Sequence, residues 1–193
     1  MAIVVRPAVA DDLPALTRLD LTYPTDRYLA LDRSGAPPEH TFVLRWRNRV
    51  PTPMAVYATY TTDGLREALS RADLFLVADV DQEPAGLLIT VVPSWTDAAE
   101  ITDLAIDIAF RRLGAGRALV DEAVEWAREK HHRSLWVEPR ADNHAAISFY
   151  MSLGFRISGF NDWLYSNRDD DDGKPTIYMH FELEGQPPVE QAQ

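Results

Sequence analysis

The sequence predicts an α/β fold with a mixed, mostly antiparallel central sheet flanked by helices. Three features carry that reading. Short apolar segments recur at 3–6, 74–80, 85–92, 99–108, 134–138 and 176–184, each bounded by turn residues. Between the last three the periodicity changes to that of helices, over 116–131 and 143–153. Gly114 and Gly116 stand where a strand gives way to the first of these helices, and Gly154 stands where the second ends.

Taken in order, Ile3, Val4 and Val5 form a first strand. Asp11 or Asp12 can cap a helix to Asp20, with Leu13, Leu16 and Leu19 at helical spacing. The stretch 22–62 contains Pro24, Pro37, Pro38, Pro51 and Pro53, and reads as loops around one strand near Phe42 to Arg47. It is the expected place of an insertion. Asp63 and Gly64 open a short helix over 65–71. Leu74 and Ala85 begin two strands of a hairpin turned at Asp81-Gln82-Glu83-Pro84, and a third extended segment runs over 99–108. The helix over 116–131 places Leu119, Ala123, Trp126 and Ala127 on one face. After a strand at 134–138, the helix over 143–153 is closed by Gly154, the residue best suited to a left-handed cap. Extended chain follows to Asn167 with a break near Asp162, then a polar turn at 168–174 and a last strand at 176–184. The expected organisation is one domain over 1–184 with the insertion inside it, and a disordered tail over 185–193.

Composition narrows the function. With 46% hydrophobic and 25% charged residues, the chain has an ordinary globular balance. Its net charge of -11 argues against nucleic-acid binding, which needs clustered Lys and Arg; it serves solubility, or steers a cationic small molecule. No apolar run is long enough to span a bilayer, and the first residues do not form a signal peptide, so no membrane association and a cytoplasmic location are expected. The absence of cysteine removes disulfides, thiolate metal sites and a cysteine nucleophile; no metal is expected.

The segment Arg111-Arg112-Leu113-Gly114-Ala115-Gly116-Arg117 carries the chemistry. The first amides of a helix lack intrahelical partners and lie at the positive end of its dipole. Such a point binds phosphate. Glycines there let an anion approach the backbone, and Arg111, Arg112 and Arg117 add positive charge to an acidic chain. A glycine pair alone would equally shape a tight turn. No Gly-Lys-Ser/Thr follows, which excludes the nucleotide P-loop, and the dinucleotide fingerprint is missing.

With Arg111, Gly114 and Gly116 in the pattern Arg-x-x-Gly-x-Gly, the segment resembles the pyrophosphate loop of the GNAT acetyltransferase superfamily. Ile108 stands where the family often has proline. A second family motif follows in order: Asn143, Ala146, Ile147, Tyr150 and Leu153-Gly154-Phe155. The segments Glu100 to Ile106 and Phe160 to Asn167 are similar to those of the streptothricin-type acetyltransferases.

The resemblance implies direct attack of a primary amine on the thioester of acetyl-CoA, with no metal. It implies that Tyr150 protonates the leaving thiolate, although Ala146, Tyr150 and Leu153 share a helix face and a core tyrosine would look the same. Glu100 and Asp103 are the candidates for general base. They have opposite parity on a strand, so both face one site only if a bulge intervenes, and the family places one near residues 104–106. Backbone groups of Leu104, Ala105 and Ile106 would meet the pantetheine arm, with the Ile106 amide serving the oxyanion. Arg111, Arg112, Leu113, Gly114, Ala115, Gly116 and Arg117 would hold the pyrophosphate, and Asn143 would contact the cofactor, cap its helix, or do both. Tyr28, Trp46, Asp162 and Tyr165 are candidates for an acceptor pocket. The run Asp169 to Asp172 is a solvated turn or an attractor of cations, and His131 and His132 are surface groups. The acceptor expected is a small cationic amine. The alternatives are a protein N-terminus or lysine, a non-catalytic acyl-CoA-binding module, and a structural domain. Paired edge strands are compatible with a homodimer.

Overall fold

The computed structural model describes residues 1–54, 60–164 and 175–183. The chain divides into two compact units, one from Met1–Asp20, Thr59–Trp136 and Phe181–Gln193, the other from Leu21–Ala58 and Val137–His180. The fold is the expected mixed α/β type, with mostly antiparallel sheet and flanking helices. Among the described residues no helix is long and apolar enough to cross a membrane.

In the first unit, β1 (Ile3–Pro7), β4 (Leu74–Val80), β5 (Glu83–Val91) and β6 (Ala99–Ile106) lie side by side in the order β1-β4-β5-β6, all antiparallel. β7 (Ser134–Val137) begins beside β6. The apolar runs of β4 and β5 are buried almost throughout, as strands covered on both faces must be. Asp81 and Gln82 turn the β4–β5 hairpin with positive φ, which lets β5 start earlier than the proline at 84 suggests. Helix α3 (Ala115–Glu129) buries Ala115, Leu119, Val120, Ala123, Val124 and Ala127. Trp126 is half-buried and packs on His132, whose ring also meets the Asp97 carbonyl, so His132 is more enclosed than a surface histidine.

The first helix is shorter than its leucine spacing predicts. A 3-10 turn over Ala10–Asp12 leads into α1 (Leu13–Leu16), and Leu13 and Leu16 are buried. Asp12 does more than cap. Its carboxylate accepts Arg6 Nη1 and Nη2, each at 2.7 Å, and the Val9 amide at 2.8 Å, while Arg6 Nε reaches Asp79 at 2.7 Å. The Arg6 bonds hold the Asp12 carboxyl below the usual range against the opposing effect of burial. Helix α2 (Thr62–Arg71) is capped by Thr61, which accepts the Gly64 amide at 3.0 Å, and is anchored by buried Leu65.

The expectation of loops around one strand over 22–62 is wrong. In the second unit β2 (Tyr23–Ala36) and β3 (Glu39–Met54) pair in a long antiparallel hairpin. A cis Pro37-Pro38 bond lies at its turn, and Gly35 beside it has a φ of 93°. Pro24 and Pro53 face each other near the open end, where lost donors matter least. The alternating Phe42, Leu44 and Trp46 are the strand signal, and Leu29, Leu31 and Arg33 oppose them. The same unit contains α4 (His144–Ser152), β8 (Arg156–Asn161) and most of β9 (Thr176–Glu182), the two strands pairing antiparallel. Gly154 follows α4 with a φ of 99°, the left-handed cap its sequence position requires.

Candidate functional site

Strand β6 is irregular at its centre. Ile101 opposes Thr90 and Asp103 opposes Ile89, so Thr102 is an extra residue with no opposite number. The bulge the resemblance implies is therefore at Thr102 rather than near residues 104–106. Its consequence is geometric. Glu100 opposes Val91 and Asp103 opposes Ile89, and these partners are two apart on a regular strand. Glu100 and Asp103 thus share one face of the sheet despite their opposite parity. Both are half-buried.

A group that the sequence does not single out joins them. The Tyr60 hydroxyl donates to Asp103 Oδ1 at 2.9 Å. Nothing in the local pattern around Tyr60 marks it, because its partner is 43 positions away.

β6 then runs into the glycine loop. Leu104 and Ile106 are half-buried and Ala105 is buried. Opposite Ile106 lies Gly86, where a Cβ would come within 2.4 Å of both the Ala105 carbonyl oxygen and Ile106 Cδ1. Glycine is required here by close approach of two strands. Asp107 organises the next turn. Its carboxylate accepts the Ala109 amide at 2.8 Å and the Asp20 amide at 2.7 Å, while the Ile108 amide donates to the Asp20 carbonyl. An Asp two positions before the amide it accepts is a recognisable Asx turn.

The arginines of the loop divide by placement. Arg111 folds back and donates from Nε to the Ile106 carbonyl at 3.0 Å. Burial lowers its affinity for the proton, opposed by the nearby charges of Asp20 and Asp107. Arg112, with a φ of 64°, and Arg117 are exposed. Gly114 is the N-cap of α3 with a φ of 103°, a conformation that strains any other L-residue, and it supplies no capping side chain. The first amides of α3 at Ala115, Gly116 and Arg117 thus begin the helix without a side-chain cap. This geometry fits a pyrophosphate: an uncapped helix start, a glycine at the approach, and two exposed guanidinium groups.

In the second unit, Asn143 caps α4 by accepting the Ala146 amide at 3.0 Å, which leaves its side-chain NH2 as the group suited to a ligand. The turn before it is held by Arg140, bidentate to buried Asp142 at 3.0 and 2.9 Å, and by Thr25, which donates to the Asp142 carbonyl at 2.8 Å. Tyr150 is buried, with its ring 5.4 Å from Phe149 and 5.2 Å from Phe155 between centroids. Of the acceptor-pocket candidates, Trp46 packs edge-on against His144, and Asp162 is ion-paired with Arg33 beside the Phe42–Phe160 contact. Tyr28 is half-buried on β2 opposite Arg47. Tyr165, the Asp169 to Asp172 run and the 185–193 tail lie outside the described residues. Among the described residues no group of His, Asp or Glu is placed to hold a metal ion.

A family model described as the acetyltransferase (GNAT) family matches residues 24–155. The chain is 26% identical over 181 residues to a streptothricin acetyltransferase of Streptomyces lavendulae, covering 90% of this chain and 92% of that one. It is 41% identical over 59 residues to the ribosomal protein bS18-alanine N-acetyltransferase of Escherichia coli K12, covering 31% of this chain and 40% of that one. Among solved structures it is similar to a nourseothricin acetyltransferase, with a TM-score of 0.75, 25% identity and coverage of 95% and 99%. It also shares its fold with a putative streptothricin acetyltransferase of Bacillus anthracis in complex with acetyl coenzyme A, with a TM-score of 0.78, 21% identity and coverage of 94% and 99%.

Proposed function

Because the chain belongs to the acetyltransferase (GNAT) family, we propose that it transfers the acetyl group of acetyl-CoA to a primary amine of a small cationic acceptor of streptothricin type. The observation that carries the acceptor class is the extent of similarity. In sequence, the similarity to the streptothricin enzyme of Streptomyces lavendulae runs over 90% of this chain, whereas that to the ribosomal-protein enzymes of Escherichia coli and Salmonella typhimurium runs over 31% and 42%. The net charge of -11 favours a cation in the same way.

The donor is held through its pyrophosphate by the amides of Gly114, Ala115, Gly116 and Arg117, with Arg112 and Arg117 as counter-charges. Arg111 braces the loop by bonding the Ile106 carbonyl, and Leu113 completes the turn. Leu104, Ala105 and Ile106 offer backbone groups to the pantetheine arm, and the Ile106 amide polarises the acetyl carbonyl. Asn143 contributes its amide NH2.

An acceptor amine is an ammonium ion at neutral pH, so a base must remove its proton before it attacks. Glu100 or Asp103, on one face of β6, takes that proton directly or through water. The nitrogen then bonds the acetyl carbon and releases its second proton to solvent, the carbon–sulfur bond breaks, and Tyr150 gives its phenolic proton to the thiolate and recovers one from solvent. The products are the N-acetyl amine, CoA thiol and one proton.

The test is CoA-thiol release from acetyl-CoA with streptothricin, a polyamine and a peptide bearing a free N-terminal alanine. Turnover of streptothricin is expected. Turnover of the peptide alone would transfer the activity to protein N-termini. Tight acetyl-CoA binding with no turnover of any amine would make the chain a binding module.

A further inference from the structure

We propose that Tyr60 is a positioning residue that sets the Asp103 carboxylate for the acceptor amine. The inference rests on the reading of Asp103 as an acid of the reaction. Tyr60 immediately precedes the Thr61 cap of α2, where the Leu65 amide donates to the Thr61 carbonyl at 2.9 Å and Leu65 is buried. Its backbone is therefore fixed by a capped and anchored helix end. From there its hydroxyl reaches across to β6 and donates to Asp103 Oδ1 at 2.9 Å.

The placement matters because Asp103 follows the extra residue Thr102. A register shift turns the carboxylate toward the face that Glu100 occupies, but it leaves the side-chain torsions of Asp103 free. An ionised carboxylate has about four lone-pair directions over two oxygens. One phenol on Oδ1 selects the rotamer and leaves Oδ2 the oxygen suited to accept from an ammonium or a bridging water. Tyrosine suits this role because it donates while remaining neutral, so it does not compete with a cationic acceptor as Lys or Arg would. An error of about 1 Å in the reacting geometry costs on the order of 100-fold in rate, so the loss of one orienting bond is measurable.

The experiment compares wild type, Tyr60→Phe, Asp103→Asn and the double variant, with streptothricin as acceptor. Tyr60→Phe keeps the ring and removes one oxygen, so the fold is retained, which an unchanged Kd for acetyl-CoA verifies. Its kcat/KM for streptothricin falls on the order of 10- to 100-fold, the range of a hydrogen bond to a charged group, while KM for acetyl-CoA stays at the wild-type value. The double variant is no worse than Asp103→Asn alone. Wild-type kinetics in Tyr60→Phe beside an impaired Asp103→Asn would overturn the positioning role and leave Asp103 in the reaction. Fully multiplicative losses in the double variant would overturn it too, since Tyr60 would then act elsewhere. Unimpaired Asp103→Asn, or a wild-type protein inactive on streptothricin, would remove the underlying reading and this inference with it.

Discussion

Gly86→Ala tests whether the junction of β5 and β6 is as tight as its geometry requires. A Cβ at this position lies 2.4 Å from the Ala105 carbonyl oxygen and 2.4 Å from Ile106 Cδ1, with the Ile106 Cα at 3.2 Å. The Ile106 methyl can rotate aside, but the carbonyl is backbone in a paired strand. Ordinary contact begins near 3.4 Å, so β6 must retreat by about 1 Å, and overpacking of this kind costs about 1–3 kcal/mol. At about 2 kcal/mol, a protein of this size loses about 4–8 °C in Tm. The displaced peptide unit includes the Ile106 amide, which polarises the acetyl carbonyl in the proposed reaction, so kcat/KM should fall on the order of 100-fold. Differential scanning calorimetry and thiol-release kinetics read the two effects. Wild-type Tm and wild-type activity together would refute both the closeness of the strands and the role of this strand end.

Three further outcomes are expected. Gly114→Glu combines backbone strain at a φ of 103° with a negative charge at the start of α3; titration calorimetry should detect no acetyl-CoA binding, and unchanged affinity would contradict the phosphate site. Tyr150→Phe should lower kcat on the order of 100-fold or more, the scale of a general acid, with acetyl-CoA affinity unchanged; wild-type kcat would make Tyr150 a packing residue only. Asp12→Asn should lower Tm at neutral pH by breaking the bonds to Arg6, at a cost of about 2 kcal/mol. Because the folded pKa of Asp12 is lowered by Arg6, its contribution is fully present above the unfolded value of about 3.9 and is lost as pH falls through the folded value. The Tm gap between variant and wild type should therefore close below about pH 4, and a gap that persists there would contradict the ion-pair origin.

The elements legible in the sequence are those written in short-range code. The helix beginning at Gly114, the Asn143 cap with its bond to Ala146, the left-handed Gly154 and the β4–β5 hairpin each depend on residues within a few positions of one another. Repeating apolar spacing and the special conformational needs of glycine announce them locally. The β2–β3 hairpin is hidden for the opposite reason. Its five prolines argue against strand, and cross-strand pairs such as Leu29 with Trp46 and Leu31 with Leu44 override them.

The candidate site divides in the same way. By itself the sequence marked out the glycine loop and its arginines as a candidate anion site, because glycines and arginines at a strand-to-helix junction form a local pattern, and it offered Glu100 and Asp103 as two acids of opposite parity on one strand. Only tertiary structure decided that Thr102 is the extra residue that puts Glu100 and Asp103 on one face, that Arg111 turns back to the Ile106 carbonyl, that Gly86 is pressed against Ala105, and that Tyr60 bonds Asp103. Strand register and long-range hydrogen bonds are set by which segments pair across the sheet. One residue of slip reverses every face assignment, and no spacing within a strand reveals it.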